Sequence, residues 1–432
     1  MRATTRLRSA GPILAFAVLA SLFASTSAYG GPDPAARGRY SVDKIDYDGG
    51  YTTLSDPNGV PISEQLKGVI HLPVAPDGPW PLIVLLHGRS TTCRYLDQAE
   101  SFSNPCPEAP PVMSEVKSYR GYDYLGSSLA SHGYVVASIS ANAINSYDIA
   151  LLASDEGTQW RAQLVVRTLD LLSEWNESGS EELGERLIGT MDFDRIGLMG
   201  HSRGGEGVAR FVTYIRDRTD GSTYPGLRAV FALAPTDIFD QKVSGVHFGT
   251  LLPLCDGDVY TLHGARMFDN ARFLEPERFA RVQFTVNGAN HNYFNTIWTF
   301  DDGPNAGDNS GTNPACDPDD VGSVRISAEE QRDVGLVLMA AFLRRYVGNE
   351  MQFDALMTGE ASLPAAACPD GARSCPNLVG TSYVGPAADR RMLLLPDGPN
   401  GFEASGFEDV AECQPNRDGV GCPTAPNRSL AR

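Results

Sequence analysis

Between residues 67 and 347 the hydrophobic and polar positions of the chain follow two alternating patterns. Short apolar runs rich in β-branched residues are separated by longer segments in which apolar residues recur every three or four positions. This alternation is typical of a mostly parallel sheet whose strands are covered by helices. The pattern therefore predicts an α/β fold with a mostly parallel central sheet flanked by helices.

The two patterns also locate the individual elements. Strands are predicted at residues 68–73, 81–86, 133–139, 195–199, 228–233, 250–254 and 280–286. Helices are predicted around residues 122–131, 158–175, 204–216, 264–272 and 327–346. In the second helix Val165, Leu169 and Leu172 form an apolar stripe with helical spacing, which we expect to pack on the sheet.

The two ends of the chain depart from this pattern. Residues 1–28 carry arginines, then an apolar run, then small residues, which is the order of a secretory signal peptide. Residues 29–349 form the predicted main domain, and residues 350–432, rich in Cys, Pro and Gly, form a predicted disulfide-stapled extension. No segment after the first is apolar enough to span a membrane. The expected location is therefore secreted or periplasmic after cleavage.

Two internal regions also lack a regular period. Residues 90–119 are rich in proline and polar residues, and we expect this long loop to shape a binding site. Residues 300–322 are crowded with Asp, Asn and Gly, and they predict a solvated loop. The second loop resembles a calcium-binding loop only loosely, because two positions that should supply oxygen carry apolar side chains.

Charge and cysteine content narrow the class of protein. The formal net charge of −18 argues against nucleic acid or an anionic membrane surface as a partner. Eight cysteines behind a signal peptide predict disulfides. Proximity in sequence favours the pairs Cys93–Cys106, Cys368–Cys375 and Cys413–Cys422, which leaves Cys255–Cys316. None of the spacings is Cys-x-x-Cys, so no zinc site is expected.

The candidate nucleophile is Ser202, in the sequence Gly-His-Ser-Arg-Gly at 200–204. This serine follows the predicted strand 195–199 and precedes the predicted helix 204–216. A nucleophile elbow requires this strand-turn-helix setting, in which glycines allow a tight and strained turn. The hydroxyl would then be presented at the carboxyl edge of the sheet.

A serine hydroxyl needs a base that accepts its proton, and three histidines follow Ser202. His291 comes directly after the predicted strand 280–286 and before the last long helix, where the order serine, acid, histidine places the base. His247 and His263 are weaker alternatives, since a histidine in a loop or at a helix start is common there. We therefore predict His291 as the base.

Together with the serine and the histidine, an acid that orients the base would form a catalytic triad. We expect this acid just after the strand that lies between Ser202 and His291 in the sequence. Two aspartates follow that strand, and we predict Asp258 because it lies in the loop that turns back toward the imidazole. Asp256 remains the alternative acid. Asp237, after the preceding strand, is a more distant one.

Two backbone N–H groups are expected to form an oxyanion hole. One belongs to Arg203, the residue after the nucleophile, and the other to Arg89, which follows a His-Gly turn at the end of a predicted strand. His87 in that turn is predicted to be structural. Arg203 and Glu206 are three residues apart on the predicted helix, so we expect their charges to pair.

Two of these segments resemble a known family. The sequence Gly-His-Ser-Arg-Gly-Gly at 200–205 is similar to the elbow of chlorophyllases, and residues 124–136 are similar to the segment before a core strand in bacterial cutinase-like polyester hydrolases. Over residues 67–347 the chain thus resembles secreted α/β-hydrolases, which also include platelet-activating-factor acetylhydrolases. The resemblance implies an α/β-hydrolase catalytic domain at 29–349 that cleaves carboxylic esters without a cofactor. Polyester-cleaving members usually carry an aromatic residue and methionine where arginines 89 and 203 stand here.

Residues and resemblance together predict a secreted serine hydrolase of carboxylic esters. Its substrate would be a small-molecule, lipid or polymeric ester, and neither cofactor nor metal is expected. A peptidase or amidase on the same triad is the nearest alternative. A non-catalytic secreted binding protein that keeps the fold is the alternative from another class.

Overall fold

The structure is a computed structural model of the chain. It describes residues 30–386 except 96–98, 109, 111, 149–151, 218–223, 273–277, 299, 307–312 and 370–374, together with two short strands, Leu394–Leu395 and Glu403–Ala404. The predicted signal peptide at 1–28 and the predicted pair Cys413–Cys422 lie outside the described residues.

A sheet of nine strands forms the centre of the molecule. The strands are β1 (Val42–Ser55), β2 (Pro61–Pro73), β3 (Trp80–Leu86), β4 (Val135–Ile139), β5 (Met191–His201), β6 (Leu227–Leu233), β7 (His247–Pro253), β8 (Arg281–Val286) and β9 (Val379–Val384). Their order across the sheet is β1-β2-β4-β3-β5-β6-β7-β8-β9. The strands from β4 to β8 in this order run parallel, whereas β1, β2 and β9 pair antiparallel at the two edges. The sheet is therefore mostly parallel, as the sequence predicts.

Helices cover both faces of this sheet. They are α1 (Asp123–Ser131), α2 (Asn142–Asp148), α3 (Thr158–Ser178), α4 (Arg203–Asp217), α5 (His263–Arg272), α6 (Ala328–Tyr346) and α7 (Asp354–Met357). Buried residues of α3, α4 and α5 share one core cluster with Leu82, Val84 and Leu86 of β3. Those of α1 and α6 share the other cluster with Ile83 and Leu85. Because successive side chains of a strand point to opposite faces, the sheet lies between two helical layers.

The sequence pattern located most of these elements. The predicted strands correspond to β2 through β8, and the predicted helices to α1, α3, α4, α5 and α6. The pattern missed β1, β9 and the short helices α2 and α7. Both missed strands lie at the edges of the sheet and are largely exposed, so they lack the apolar runs on which the prediction depends. Among the described residues, no helix is both long and apolar enough to cross a membrane.

The segment after residue 350 packs against the main body. Phe353, Leu356 and Met357 belong to the same core cluster as α6, and β9 pairs with β8. Strand β9 therefore completes the edge of the sheet, and helix α7 packs on α6.

Three of the predicted disulfides are formed, namely Cys93–Cys106, Cys255–Cys316 and Cys368–Cys375. The first closes the loop at 90–119, in which strands Cys93–Tyr95, Ala99–Ser101 and Ser114–Glu115 form a small separate sheet. The loop between β3 and α1 is thus a folded unit. Its position above the carboxyl end of β3 allows it to contribute to the site described below.

The Cys255–Cys316 disulfide is expected to stabilise the fold more than Cys368–Cys375 does. The two bridges join residues that are 61 and 7 positions apart, and the entropy that a bridge removes from the unfolded chain grows with loop length. Replacing both cysteines by alanine should lower the free energy of unfolding by about 4 kcal/mol for the first pair and about 2 kcal/mol for the second. Denaturant unfolding of the two double variants measures this difference. Equal losses would contradict the loop-length explanation.

Candidate active site

The candidate nucleophile stands in a strained turn between a strand and a helix. Strand β5 ends at His201, helix α4 begins at Arg203, and Ser202 between them has a φ of 58°. A non-glycine residue in this left-handed region is strained, and such strain is concentrated at functional sites. The turn is held by the Ser202 N–H, which donates to the Leu233 carbonyl at 2.9 Å. The sequence expectation for the setting of Ser202 agrees with this local geometry.

Glycines on both sides of Ser202 make the turn possible. A Cβ at Gly200 would lie 2.0 Å from the Gly204 carbonyl oxygen, and one at Gly204 would lie 2.4 Å from the Leu86 carbonyl oxygen. Both neighbours are backbone atoms that cannot move aside. Strand β3, strand β5 and helix α4 therefore meet at a distance that only glycine permits.

His291 lies in the loop that follows β8, and its ring is buried. His291 Nδ1 is 2.9 Å from Asp256 Oδ2, and this carboxylate is buried as well. The elbow and the histidine loop are directly joined, because His201 Nε2 donates to the His291 carbonyl at 3.0 Å. Among the described residues, His291 Nε2 has no hydrogen-bond partner, so it is available to a substrate or to a serine hydroxyl.

The preference for Asp258 as the acid on Nδ1 is corrected by this geometry. Asp256, the alternative, holds Nδ1, whereas Asp258 is 63% exposed and its Oδ2 lies 3.5 Å from Nε2 on the other side of the ring. The strand ends at Pro253, and Cys255 is fixed by a disulfide and by its N–H, which donates to the Ala289 carbonyl. The next residue, Asp256, already faces the imidazole, so the chain does not have to turn back.

The surrounding acids set the protonation state of His291. Burial alone lowers its pKa, but the charge and hydrogen bond of Asp256, with smaller contributions from Asp258 and Asp302, raise the pKa of His291 to about 9. The imidazole is thus protonated at neutral pH in this resting arrangement. It can act as a base once it loses that proton.

Asp302 organises the backbone around the histidine, and sequence reasoning missed it. Its carboxylate accepts from the N–H of His291 at 3.0 Å, of Asn292 at 3.1 Å and of Gly257 at 2.7 Å. The acid loop and the histidine loop are thereby tied to one buried group. The sequence predicts a solvated loop at 300–322, and nothing in its pattern separates Asp302 from the other aspartates of this loop.

His201 is a structural partner of this arrangement. Its ring is buried beside the rings of His291 and Trp298, with centroids 5.0 and 4.8 Å away. The Tyr122 hydroxyl donates to His201 Nδ1 at 2.9 Å, and Nε2 donates to the backbone as described above. Burial holds the pKa of His201 well below its usual value. This neutral ring therefore holds the His291 loop in place through its hydrogen bond to the His291 carbonyl.

The peptide between Gly88 and Arg89 lies directly against Ser202. A Cβ at Gly88 would be 2.5 Å from the Ser202 Cβ. The Gly88 carbonyl accepts from His87 Nδ1 at 2.8 Å and from Asn145 Nδ2 at 3.1 Å. Because the two polar groups of a planar trans peptide point in opposite directions, these bonds direct the Arg89 N–H away from Asn145. Neither this N–H nor that of Arg203 donates to another group within the described residues.

His87 is fixed as the structural residue that the sequence predicts. The Ala141 N–H donates to His87 Nε2 at 2.9 Å, and the ring is fully buried. Burial lowers the pKa of His87 to about 4, so the ring is neutral at ordinary pH. Both ring nitrogens are used by the backbone, and neither faces a reacting group.

A buried ion cluster stands behind Asn145. Arg161 Nη2 donates to Asn145 Oδ1 at 2.9 Å and to Asp148 at 3.0 Å. Arg203 also contacts Asp148, at 3.3 Å, and Glu156, at 2.6 Å. The expected pairing of Arg203 with Glu206 is therefore wrong.

Glu206 turns to the other side of the elbow helix. It accepts from the Thr236 hydroxyl and from the Phe239 N–H, each at 2.8 Å. The loop after β6 is thus bonded to helix α4. Arg203 pairs with Asp148 and Glu156 instead.

The remaining sequence candidates lie away from the imidazole. His247 stacks on Tyr346 with ring centroids 4.2 Å apart, and His263 Nδ1 accepts from the Asp237 N–H. Asp237 itself binds Arg266 at 3.0 Å. None of the three contacts His291.

A cavity of about 580 Å³ opens above Ser202. It is lined by residues that include Arg89, Phe102, Ser202, Asp258, Tyr260 and His263. Both candidate oxyanion residues and the exposed aspartate share this space with the serine. In the part of the chain that the structure describes, no cluster of three or more His, Cys, Asp or Glu side chains is arranged to hold a metal ion.

Comparison with known proteins does not assign this site to a family. No protein-family model matches the sequence, and no curated protein is significantly similar to it. The resemblance to chlorophyllase-type enzymes stays a prediction from the two motifs. The function must be inferred from the chemistry of the site.

The two aspartates are expected to differ in their effect on the titration of His291. Asp256→Asn removes the buried charged partner of Nδ1 and should lower the pKa of His291 well below about 9, because the two largest contributions that raise it both come from Asp256. Asp258→Asn removes only an exposed charge and should lower this pKa by a smaller amount. Imidazole nitrogen chemical shifts followed by NMR across pH measure both. A larger shift in the Asp258 variant would contradict the assignment of Asp256.

Proposed function

We propose that the chain is a secreted serine hydrolase that cleaves carboxylic esters on an α/β-hydrolase fold. Ser202 is the nucleophile, His291 the general base and Asp256 the acid that orients the base. The observation that carries this proposal is the left-handed Ser202 turn, joined by a direct hydrogen bond to the loop of a buried His–Asp pair. The disulfides support an extracellular location, because such bonds persist in oxidising compartments.

The chemistry follows from the roles of the three side chains. His291 Nε2 removes the Ser202 hydroxyl proton while the serine oxygen attacks the ester carbonyl carbon. The Asp256 carboxylate holds the proton on Nδ1 and stabilises the imidazolium. The tetrahedral intermediate then collapses, His291 returns the proton to the departing alcohol, and an acyl-enzyme remains. Water, deprotonated by the same histidine, attacks the acyl-enzyme, and the acid is released as His291 returns the proton to the Ser202 oxygen.

The oxyanion of the intermediate is stabilised by the N–H groups of Arg89 and Arg203. The Arg203 N–H follows Ser202 in the chain, and the Arg89 N–H belongs to the Gly88–Arg89 peptide that lies against Ser202. Neither donates to another acceptor among the described residues. Preorganised donors of this kind are usually the largest single contribution to such catalysis. The bonds from His87 and Asn145 to the Gly88 carbonyl support this role, since they fix the peptide before the substrate arrives.

Loss of the Ser202 hydroxyl is expected to abolish ester hydrolysis. The mature protein should cleave p-nitrophenyl esters, and Ser202→Ala should reduce the rate by at least about a thousandfold, because removal of one triad member disables the whole unit. Ser178→Ala, at the exposed end of α3, is the matched control and should keep full activity. The release of p-nitrophenol measures the rates.

Three outcomes would contradict this proposal. A wild-type protein that binds esters without cleaving any would point to the binding-protein alternative. Faster cleavage of anilides than of matched esters would point to a peptidase or amidase on the same residues. Retained activity in Ser202→Ala would exclude Ser202 as the nucleophile.

Asn145 is expected to act on the rate through the Gly88–Arg89 peptide. In Asn145→Ala the Gly88 carbonyl loses one of its two donors, so the Arg89 N–H is less firmly aimed, and kcat should fall about tenfold or more with little change in KM. Asn176→Ala is the matched control, because Asn176 makes equivalent bonds to the backbone of Met191 at the opposite end of β5. Steady-state kinetics on one ester measures both. Equal effects of the two variants would show that the Asn145 effect is only structural.

A further inference from the structure

Arg89 has a free cationic side chain beside the candidate nucleophile. Arg89 lines the cavity that contains Ser202, its guanidinium carbon lies near the ring of Phe102, another lining residue, and no ion pair among the described residues includes it. The chain has 53 acidic residues against 35 lysines and arginines, so acidic partners are in surplus. An arginine that stays unpaired under these conditions, in a cavity, has its donors available to a ligand.

Arg203 shows that an arginine in this cavity can be paired, so the lack of an ion-pair partner is specific to Arg89. Arg203 lines the same cavity, but Asp148 and Glu156 neutralise its charge. Asp258 also lines the cavity, yet it contacts His291 and does not pair with Arg89. The cavity is therefore polarised, with a negative charge on the histidine side and a positive charge on the oxyanion side.

The loop at 90–119 holds the Arg89 side chain in place. Its Cζ lies 5.9 Å from the centroid of the Phe102 ring, which is within reach of a cation–π contact. Phe102 is fixed in turn, because the Cys93–Cys106 disulfide closes the loop and the Thr92 side chain donates to the Ser103 carbonyl at 2.5 Å. A planar guanidinium supported in this way matches the geometry of a carboxylate, to which it can donate two parallel hydrogen bonds.

The rest of the cavity favours a polar substrate. Thr236, Tyr260, Thr261 and His263 supply polar groups to its wall, whereas Phe102 and Val259 are its apolar lining residues. A long acyl chain would find little apolar contact here.

On these grounds, and resting on the proposed function, we propose that the substrate is an ester with a carboxylate close to its scissile carbonyl, such as a monoester of a dicarboxylic acid. The Arg89 N–H donates to the oxyanion, and the guanidinium of the same residue binds the carboxylate. One residue thus contributes to both catalysis and specificity.

The experiment compares esters that differ only in terminal charge. Ethyl hexanoate, ethyl hydrogen adipate and the ethyl ester of ω-aminohexanoic acid have acyl chains of one length that end in a methyl, a carboxylate and an ammonium group. Ethyl hydrogen succinate and ethyl butanoate form a shorter matched pair. Rates are followed in a pH-stat. Each ester is also tested as a competitor of p-nitrophenyl acetate, so that a slowly cleaved ester still reports its affinity.

The carboxylate ester should have a kcat/KM about tenfold above its neutral match at one of the two lengths, since a charge-assisted pair to arginine has that order of effect. Arg89→Gln keeps the backbone N–H and removes the charge, so it should lower the ratio of carboxylate to neutral ester by about tenfold. Arg167→Gln removes the same charge from the exposed face of α3 and should leave the ratio unchanged.

Preference for the neutral ester at both lengths, or for the ammonium ester over the carboxylate ester at the longer length, in rate and in competition, would overturn the proposal. An equal change of the ratio in the Arg89 and Arg167 variants would also overturn it, because the effect would then come from net charge. If p-nitrophenyl acetate is still cleaved, these results contradict only the carboxylate-binding proposal and leave the proposed function intact. Absence of activity on every ester, p-nitrophenyl acetate included, would instead contradict the proposed function itself.

Discussion

The close approach of three backbone segments at Ser202 is the constraint on which the rest of the site depends. Strand β3, strand β5 and helix α4 come together with Gly88, Gly200 and Gly204 at the contacts, where any Cβ would meet a neighbour at 2.0 to 2.5 Å. This approach is possible because β3 and β5 are neighbouring parallel strands that end at the same edge. It places the Gly88–Arg89 peptide against the serine without any side chain between them. The strain of the left-handed Ser202 is offset by the packing of the two helical layers on the sheet.

The second constraint is electrostatic, and it concerns how acids are distributed around one imidazole. Asp256 and Asp302 are both buried next to His291, yet they do different work. Asp256 binds the ring, whereas Asp302 binds three backbone N–H groups around it. Burial and the nearby Asp256 charge both raise the pKa of Asp302, while His291 and the backbone bonds oppose this. A buried carboxylate that accepts three hydrogen bonds costs far less than one without partners, so these bonds stabilise Asp302 in its buried position.

The sequence predicted the elements well and the fine placement of the acid less well. Parallel strands such as β3 and β6 are buried on both faces, so their apolar runs are unambiguous, and the turn at Ser202 follows from glycine spacing. The choice between Asp256 and Asp258 depends on where β7 ends and on how the Cys255–Cys316 disulfide orients the next residue. Both are tertiary facts that a local pattern does not contain. Asp302 was missed for the same reason, since only folding separates one aspartate of an acidic loop from the others.

The difference in burial therefore gives Asp256 and Asp258 different effects on His291. Asp256 cannot leave Nδ1 without stranding a buried charge, so it fixes the orientation of the ring permanently. Asp258 is mostly exposed, and water can replace its weak contact with Nε2 at little cost. In the proposed reaction, a substrate that displaced Asp258 would remove one of the charges that raise the pKa of His291, so the imidazole would lose its proton more readily. A substrate carboxylate beside the imidazole would raise this pKa instead, and in our proposal that carboxylate pairs with Arg89, which lines the same cavity, and not with His291.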